Sequence, residues 1–400
     1  MKPKLFLCLT VLLFAILACN AGAEIPPTPV TDDDVEAVET VEVKEPVEAV
    51  ETDVPEPVED NPIANRKVDE FFADFVGADT PGGIVIVLKD GQTLYKAAYG
   101  LANLEDRTAL TTDHIMHLGS VGKQMTSLAI MMLAHDGRLA YDDPVGKHIP
   151  ELEHFGKEFT IRHLLHHTSG LSDYTDEIQD AMFERANQPS NDDLVAALSQ
   201  MNGSDMPPGD VFEYSNPGYE LLGTIIERAS KQKFPTFMQA RIFGPLGMTH
   251  TFSLPDEKRR ADPQVAMSYT GSSDSPEAYP SDDLDNLYGS GSIYTTVADM
   301  ALYDEALYAG TLLPVSALEE AFQSAKLNDG GTEPYGFGWE LEESNGQPYV
   351  AHSGAWLGFN SDYVRILDKH LSVIVLLNRD YDYPDDPRLA LKIAQFYLEP

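Results

Sequence analysis

The sequence predicts an α+β fold: an antiparallel β-sheet formed from both chain ends, flanked by helices, with an inserted, mostly helical region. Three observations predict it. β-rich runs lie early in the folded body, at Ile84–Lys89 and Thr93–Tyr99, and return only near its end, at Pro348–His352, Ser361–Leu367 and Leu371–Leu377. Asp90-Gly91 separates the first two with the residues a two-residue hairpin needs. From about Ser120 to Ala321 the pattern is helical and loop-rich, so strands at the two ends complete one sheet around an insertion.

In chain order, Met1 to Ala23 reads as a secretory signal: Lys2 and Lys4, the apolar run Leu5–Leu17, then small residues. Ile16-Leu17-Ala18-Cys19 fits a lipoprotein exit, with Cys19 as the lipidated new N-terminus. Ala21-Gly22-Ala23 fits ordinary cleavage after Ala23. The lipoprotein exit is favoured because residues 24–62 read as a tether. Up to Asp60 that segment holds fourteen Asp and Glu against one lysine, and Val-Glu-Ala-Val-Glu-Thr occurs at 35–40 and again at 47–52. Repelling charges and scattered prolines favour an extended, unpacked chain. The folded domain is then 63–400, and the expected location is the periplasm or cell envelope.

The whole chain carries a net charge of −38, which excludes nucleic acid as a partner. Its two cysteines, Cys8 and Cys19, both fall in the leader. The folded body therefore has no disulfide, cysteine nucleophile or cysteine-ligated metal.

Within the body, Ala64–Val76 reads as a helix with Val68, Phe71, Phe72 and Phe75 on its apolar face. Ser120-Val121-Gly122-Lys123 opens a second helix, continued by Leu128, Met131 and Met132. Residues i and i+3 share a helix face, so Lys123 reaches the Ser120 hydroxyl. A serine with a lysine base is a sensible nucleophile, although so short a pattern also describes an ordinary helix start. Further helices are read at Ile161–His166, Asp192–Met201, Glu220–Ser230, Val297–Tyr308 and Arg388–Tyr397. Tyr214-Ser215-Asn216 is placed in a loop before the turn residues Pro217-Gly218, and His352-Ser353-Gly354 at the end of a strand.

Ser120-x-x-Lys123, Tyr214-Ser215-Asn216 and His352-Ser353-Gly354, in this order, resemble the serine β-lactamase and penicillin-binding-protein superfamily. The resemblance is to its class C-like branch of D,D-carboxypeptidases, D-aminopeptidases and esterases, and it covers residues 64 to 398. Gly137–Val145, Ile161–Leu171, Gly244–Met248, Tyr288–Ser292 and Tyr335–Trp339 are similar to that family's punctuation.

The resemblance implies acyl transfer through a serine ester on an amide or ester substrate, either a small molecule or a peptide, with no cofactor. Ser120 would be the nucleophile and Lys123 would help remove its proton. Tyr214 would relay protons, its phenolate favoured by a cationic Lys123. Asn216 would bind a substrate amide or fix Lys123. The N–H groups of Ser120 and Ala355, the latter just after Gly354, would form the oxyanion hole. His352 stands where most β-lactamases carry a lysine that helps hold the drug's carboxylate. A histidine there, only partly charged at neutral pH, shifts the expectation from β-lactam hydrolysis toward D,D-peptidase, D-amino-acid peptidase or esterase activity. A true β-lactamase and a non-catalytic cell-wall binder are the competing readings.

His163, His166 and His167 invite a metal reading, but no His-Glu-x-x-His pattern exists and the family's own signature accounts for them. No metal is expected. No Gly-x-Ser-x-Gly elbow occurs either. Each of the two tryptophans, Trp339 and Trp356, fits either the cleft or the core, and Trp356, directly after the oxyanion position, is the better cleft candidate.

Overall fold

Consecutive apolar positions, rather than alternating ones, decide how the main sheet is used. Ile84-Val85-Ile86-Val87 and Val373-Ile374-Val375-Leu376 are buried throughout, so both faces of these strands are covered. Ile84, Ile86, Ile374 and Leu376 join the larger core, with the helical region. Val85, Val87, Val373 and Val375 point the other way, into a second core with Val68, Phe72 and Ile393 from helices near the two chain ends. The computed structural model describes residues 61–254, 261–279, 281–381 and 388–398. The leader, Cys19 and the acidic segment up to residue 60 lie outside the described residues.

The sheet has six antiparallel strands, in the order Glu340–Ser344, Gln347–Trp356, Phe359–Ile366, Leu371–Leu377, Gly83–Lys89, Gln92–Tyr99. Strands from distant parts of the chain meet at its centre, where Ile86 pairs with Ile374. Asp90 and Gly91 both adopt positive φ, as a tight hairpin turn demands. The charged edge strand Glu340–Ser344 was not anticipated. Glu-Leu-Glu-Glu-Ser carries little apolar signal, and such charge is how an exposed edge avoids pairing with another chain.

Helices near the two chain ends cover one face. Pro62–Ala73 starts with proline in its first turn, and the Asn61 side chain accepts a hydrogen bond from the Ala64 N–H at 3.0 Å. Leu389–Leu398 packs beside it. On the other face the central element is Lys123–His135, buried continuously from Lys123 to Leu133. The sequence predicts an amphipathic helix there, but neighbours enclose it on all sides, so its apolar stripe was only part of its packing surface. Arg365 and Asp304 form a buried ion pair at 2.8 Å, anchoring helix Val297–Ala309 to the sheet.

Ser120 itself lies on a 3-10 turn, Gly119–Gly122, immediately before that helix. This turn is pressed against strand Gln347–Trp356, which continues well past the expected end at His352. Two glycines permit the contact. A Cβ on Gly119, whose φ is +51°, would stand 2.6 Å from the Ala355 nitrogen. A Cβ on Gly354 would stand 2.2 Å from the Leu118 carbonyl oxygen and 2.8 Å from the Ser120 nitrogen. Gly354→Ala must therefore push the turn off the strand. We expect a loss of about 1–3 kcal/mol in urea melts and about a hundredfold slower labelling of Ser120 by a fluorophosphonate, as misplaced reacting groups give. Wild-type values in both assays would show that the contact is slack.

Candidate active site

Three segments supply the site, and each is fixed locally. The His117 Nδ1 accepts the Gly119 N–H at 2.8 Å, and Ser361 Oγ donates to the Leu118 carbonyl at 2.6 Å, holding the Ser120 turn from both sides. The second segment is the start of helix Asn216–Ser230, where the Ser215 side chain accepts from the Gly218 N–H at 3.1 Å. The sequence pattern predicts a helix from Glu220, with Pro217-Gly218 as a turn before it. Proline is well suited to a first helical turn, so the same residues open the helix. The third segment is the strand through His352, Gly354 and Ala355.

These segments bring the predicted residues together. Lys123 is fully buried, and its Nζ donates to Ser120 Oγ at 3.0 Å, Asn216 Oδ1 at 2.7 Å and the Ser290 carbonyl at 2.8 Å. Of the two roles considered for Asn216, the structure displays the positioning of Lys123. Its own amide is held by Asp173, at 3.2 Å. Burial lowers the Lys123 pKa to about 7, with the charges of Glu220 and Asp173 opposing the shift.

Tyr214 hydrogen-bonds Ser120, but burial outweighs that bond and pushes its phenol above the ordinary value. The expectation that a cationic Lys123 would favour the phenolate is therefore corrected. Lys123 Nζ does lie 4.8 Å from the centre of the Tyr214 ring, yet the same burial weakens the lysine's charge. In this pair burial favours the neutral amine of Lys123 and the protonated phenol of Tyr214.

His352 is also buried, and both ring nitrogens are engaged. Nδ1 lies 2.6 Å from the Ser353 carbonyl, which can only accept, so Nδ1 carries the proton. Nε2 then accepts from the Tyr335 hydroxyl, at 2.9 Å. Burial first, and the Lys123 charge second, lower its pKa to about 3. The partial charge expected at neutral pH is absent, because the ring is desolvated.

Ser120 stands between two cavities. One is also lined by Tyr174, Glu220, Asp285, Ala355 and Trp356. The other runs along Tyr214, His352, Ser353 and Gly354. Trp356 lines the first cavity and donates from Nε1 to Asp285 at 3.1 Å, whereas Trp339 is buried against Phe322 and Tyr363. Ala355 is exposed, and its nitrogen lies against Gly119 as the Ser120 nitrogen lies against Gly354, so the two backbone nitrogens fall where the turn and the strand meet.

The histidine cluster has other work. His163 Nδ1 accepts from Thr160 N at 3.2 Å, His166 Nδ1 bonds the Tyr335 carbonyl at 2.8 Å, and His167 Nδ1 accepts from Ser215 N at 3.1 Å. Among the described residues no group of three or more His, Cys, Asp or Glu side chains is disposed to hold a metal ion.

Sequence reasoning missed Asp173, Tyr174, Ser290 and Glu220. Burial lifts Glu220 to about 7, against hydrogen bonds from Tyr174 and Ser290 and the charge of Lys123. Glu220 lies one helical turn after Asn216, a spacing that would have flagged it had the helix been started at Asn216.

Residues 68–398 match the family described as Beta-lactamase, and the chain belongs to that family of serine hydrolases. It is 34% identical over 332 residues to a penicillin-binding protein of Bacillus subtilis, covering 79% of this chain and 72% of that one. It is 30% identical over 302 residues to a D-aminopeptidase of Cereibacter sphaeroides, covering 75% of this chain and 57% of that one. Among solved structures, an octameric penicillin-binding protein homologue from Pyrococcus abyssi aligns with a TM-score of 0.69 at 28% identity, covering 84% of this chain and 76% of that one. A D-amino acid amidase from Ochrobactrum anthropi shares the fold, with a TM-score of 0.64 at 22% identity and coverage of 84% and 97%.

Because Lys123 accepts the serine proton only when neutral, fluorophosphonate labelling of Ser120 should accelerate as pH rises through about 7, then level off. Lys123 and Glu220 interact, so the midpoint belongs to the pair. A rate independent of pH between about 5 and 9 would contradict a lysine base with this shift.

Proposed function

We propose that the chain is an exported hydrolase of amides or esters of amino acids and peptides, working through an acyl ester on Ser120. The observation that carries this is the buried Lys123 amine, 3.0 Å from the Ser120 hydroxyl and held there by Asn216 and the Ser290 carbonyl. Ser120 Oγ attacks the substrate carbonyl carbon, and its proton passes to neutral Lys123. The carbonyl π pair moves onto oxygen, where the Ser120 and Ala355 N–H groups receive the charge. Collapse breaks the bond to the leaving nitrogen or oxygen. Tyr214, still protonated and bonded to Ser120, donates the proton the leaving group takes, and Lys123 restores it. Water repeats the sequence on the ester and releases the acid.

His352 supports peptide or ester substrates over β-lactams. With both nitrogens engaged and the ring uncharged, it offers no cation to a drug's carboxylate. Relatives named D-aminopeptidase and D-amino acid amidase add support for D-amino-acid derivatives as the substrate class.

A panel of D-Ala-D-Ala peptides, D-amino-acid amides, short acyl esters and a chromogenic cephalosporin tests the reading, with Ser120→Ala as the blank. Wild type should turn over amides or esters at least about a thousandfold faster than Ser120→Ala, a scale typical of losing an activated nucleophile. Equal behaviour of the two proteins would sink the hydrolase reading. Fast cephalosporin turnover would make the chain a β-lactamase, and labelling without turnover would make it a binder.

Export rests on the leader, with Cys19 as the lipid-bearing residue and the acidic segment as a stand-off from the membrane. Cys19→Ser should move the protein from the membrane fraction to the soluble one. Unchanged partitioning would rule out the anchor.

A further inference from the structure

Glu220 is a carboxyl group in the wrong place for an ordinary structural residue. It is 1% exposed and lines the cavity beside Ser120. Tyr174 and Ser290 both donate to Oε1, the latter at 2.9 Å. Oε2 is buried and has no hydrogen-bond partner among the described residues. A buried carboxylate oxygen left unpaired is costly, and a charge-assisted donor from outside the protein is what it lacks.

The rest of the cavity carries the same sign. Asp285 is the second acidic residue lining it, and no lysine or arginine is among its lining residues. On the other side of Ser120, Arg388 lines the second cavity but is engaged by Glu342 at 3.1 Å and Asp362 at 3.2 Å. Among the described residues neither side therefore presents a free cation to a carboxylate, and one side is lined by carboxyl groups, of which Asp285 already accepts from Trp356 and the Asp282 N–H.

The site is also near the chemistry. Lys123 Nζ bonds the Ser290 carbonyl at 2.8 Å, and the Ser290 hydroxyl bonds Glu220 at 2.9 Å, so one residue links the base to the carboxyl group. In an α-amino acyl substrate the nitrogen stands two bonds from the carbonyl carbon that Ser120 attacks. An ammonium at that position, directed into this cavity, enters a space that Glu220 lines.

We infer that Glu220 forms a subsite for the substrate's α-ammonium group, so that the enzyme takes amino-acyl amides and esters with a free amine. N-acylated substrates lack the charge, and peptides read by their terminal carboxylate carry the opposite one. The inference rests on the acyl-Ser120 reading and names its substrate class.

The test uses the methyl esters of D-phenylalanine and N-acetyl-D-phenylalanine, which share acyl carbon and leaving group, with hydrolysis followed by pH-stat. Wild type should favour the free amine by at least tenfold in kcat/KM. Glu220→Gln should reduce that preference at least tenfold, mainly through KM for the free amine. An equal or reversed preference in wild type, or no hydrolysis of the free-amine ester, overturns the inference. So does Glu220→Gln slowing both esters by one factor, the result expected if Glu220 only balances the Lys123 charge. If that variant does not fold, the wild-type preference decides alone. Fluorophosphonate labelling that depends on Ser120, measured on the same preparation, separates the two failures. With labelling intact, a failed preference removes only the ammonium subsite, whereas labelling lost removes the acyl-enzyme reading itself.

Discussion

The desolvation of one amine governs this site. Lys123 is enclosed by the larger core and by Tyr214 and Tyr219, whose ring centres lie 4.8 and 5.6 Å from its Nζ. Burial penalises the charged form of any amine, and here it outweighs two nearby carboxyl groups. A lysine in water is a cation at neutral pH and useless as a base. The same side chain, dried by burial, has a substantial neutral population beside a serine hydroxyl, although the three acceptors around it favour the cation. The helix Lys123–His135, buried without a break from Lys123 to Leu133, is what excludes the water.

Geometry enters through a second constraint, the approach of two backbones. Gly119 and Gly354 let the Ser120 turn lie against the strand that carries Ala355, with no room for a Cβ at either position. That strand is held by pairing with Phe359–Ile366, which in turn pairs with Leu371–Leu377 and so with Gly83–Lys89. Sheet register thus sets where the Ala355 backbone lies relative to the Ser120 turn. The large sheet built from both chain ends is the frame on which a three-residue contact depends.

Much of this could be read from residues alone, for identifiable reasons. Asp90-Gly91 specified its hairpin because the turn needs positive φ twice. The sheet strands announced themselves through branched apolar runs, and Ser120 and Lys123 through their i, i+3 spacing, whereas Asn216 came from the family resemblance. Other features had no local signal. Strand Gln347–Trp356 runs through Ser353-Gly354-Ala355, whose small residues look like a strand end until their neighbour, the Ser120 turn, is seen to require them small. The protonation of Tyr214, Lys123 and His352 depends on burial, a property of the assembled fold. Glu220 was hidden by a helix start misplaced by four residues, at a proline that opens the helix but read as a breaker.

The central claim is that Lys123 is poised to be neutral. It is tested most directly by titrating the protein with isotope-labelled lysine and following the Nζ resonance that disappears in Lys123→Met. The account predicts a midpoint near 7. A midpoint at the ordinary lysine value of about 10.4 would contradict it, because the amine beside Ser120 would then be a cation throughout the working range.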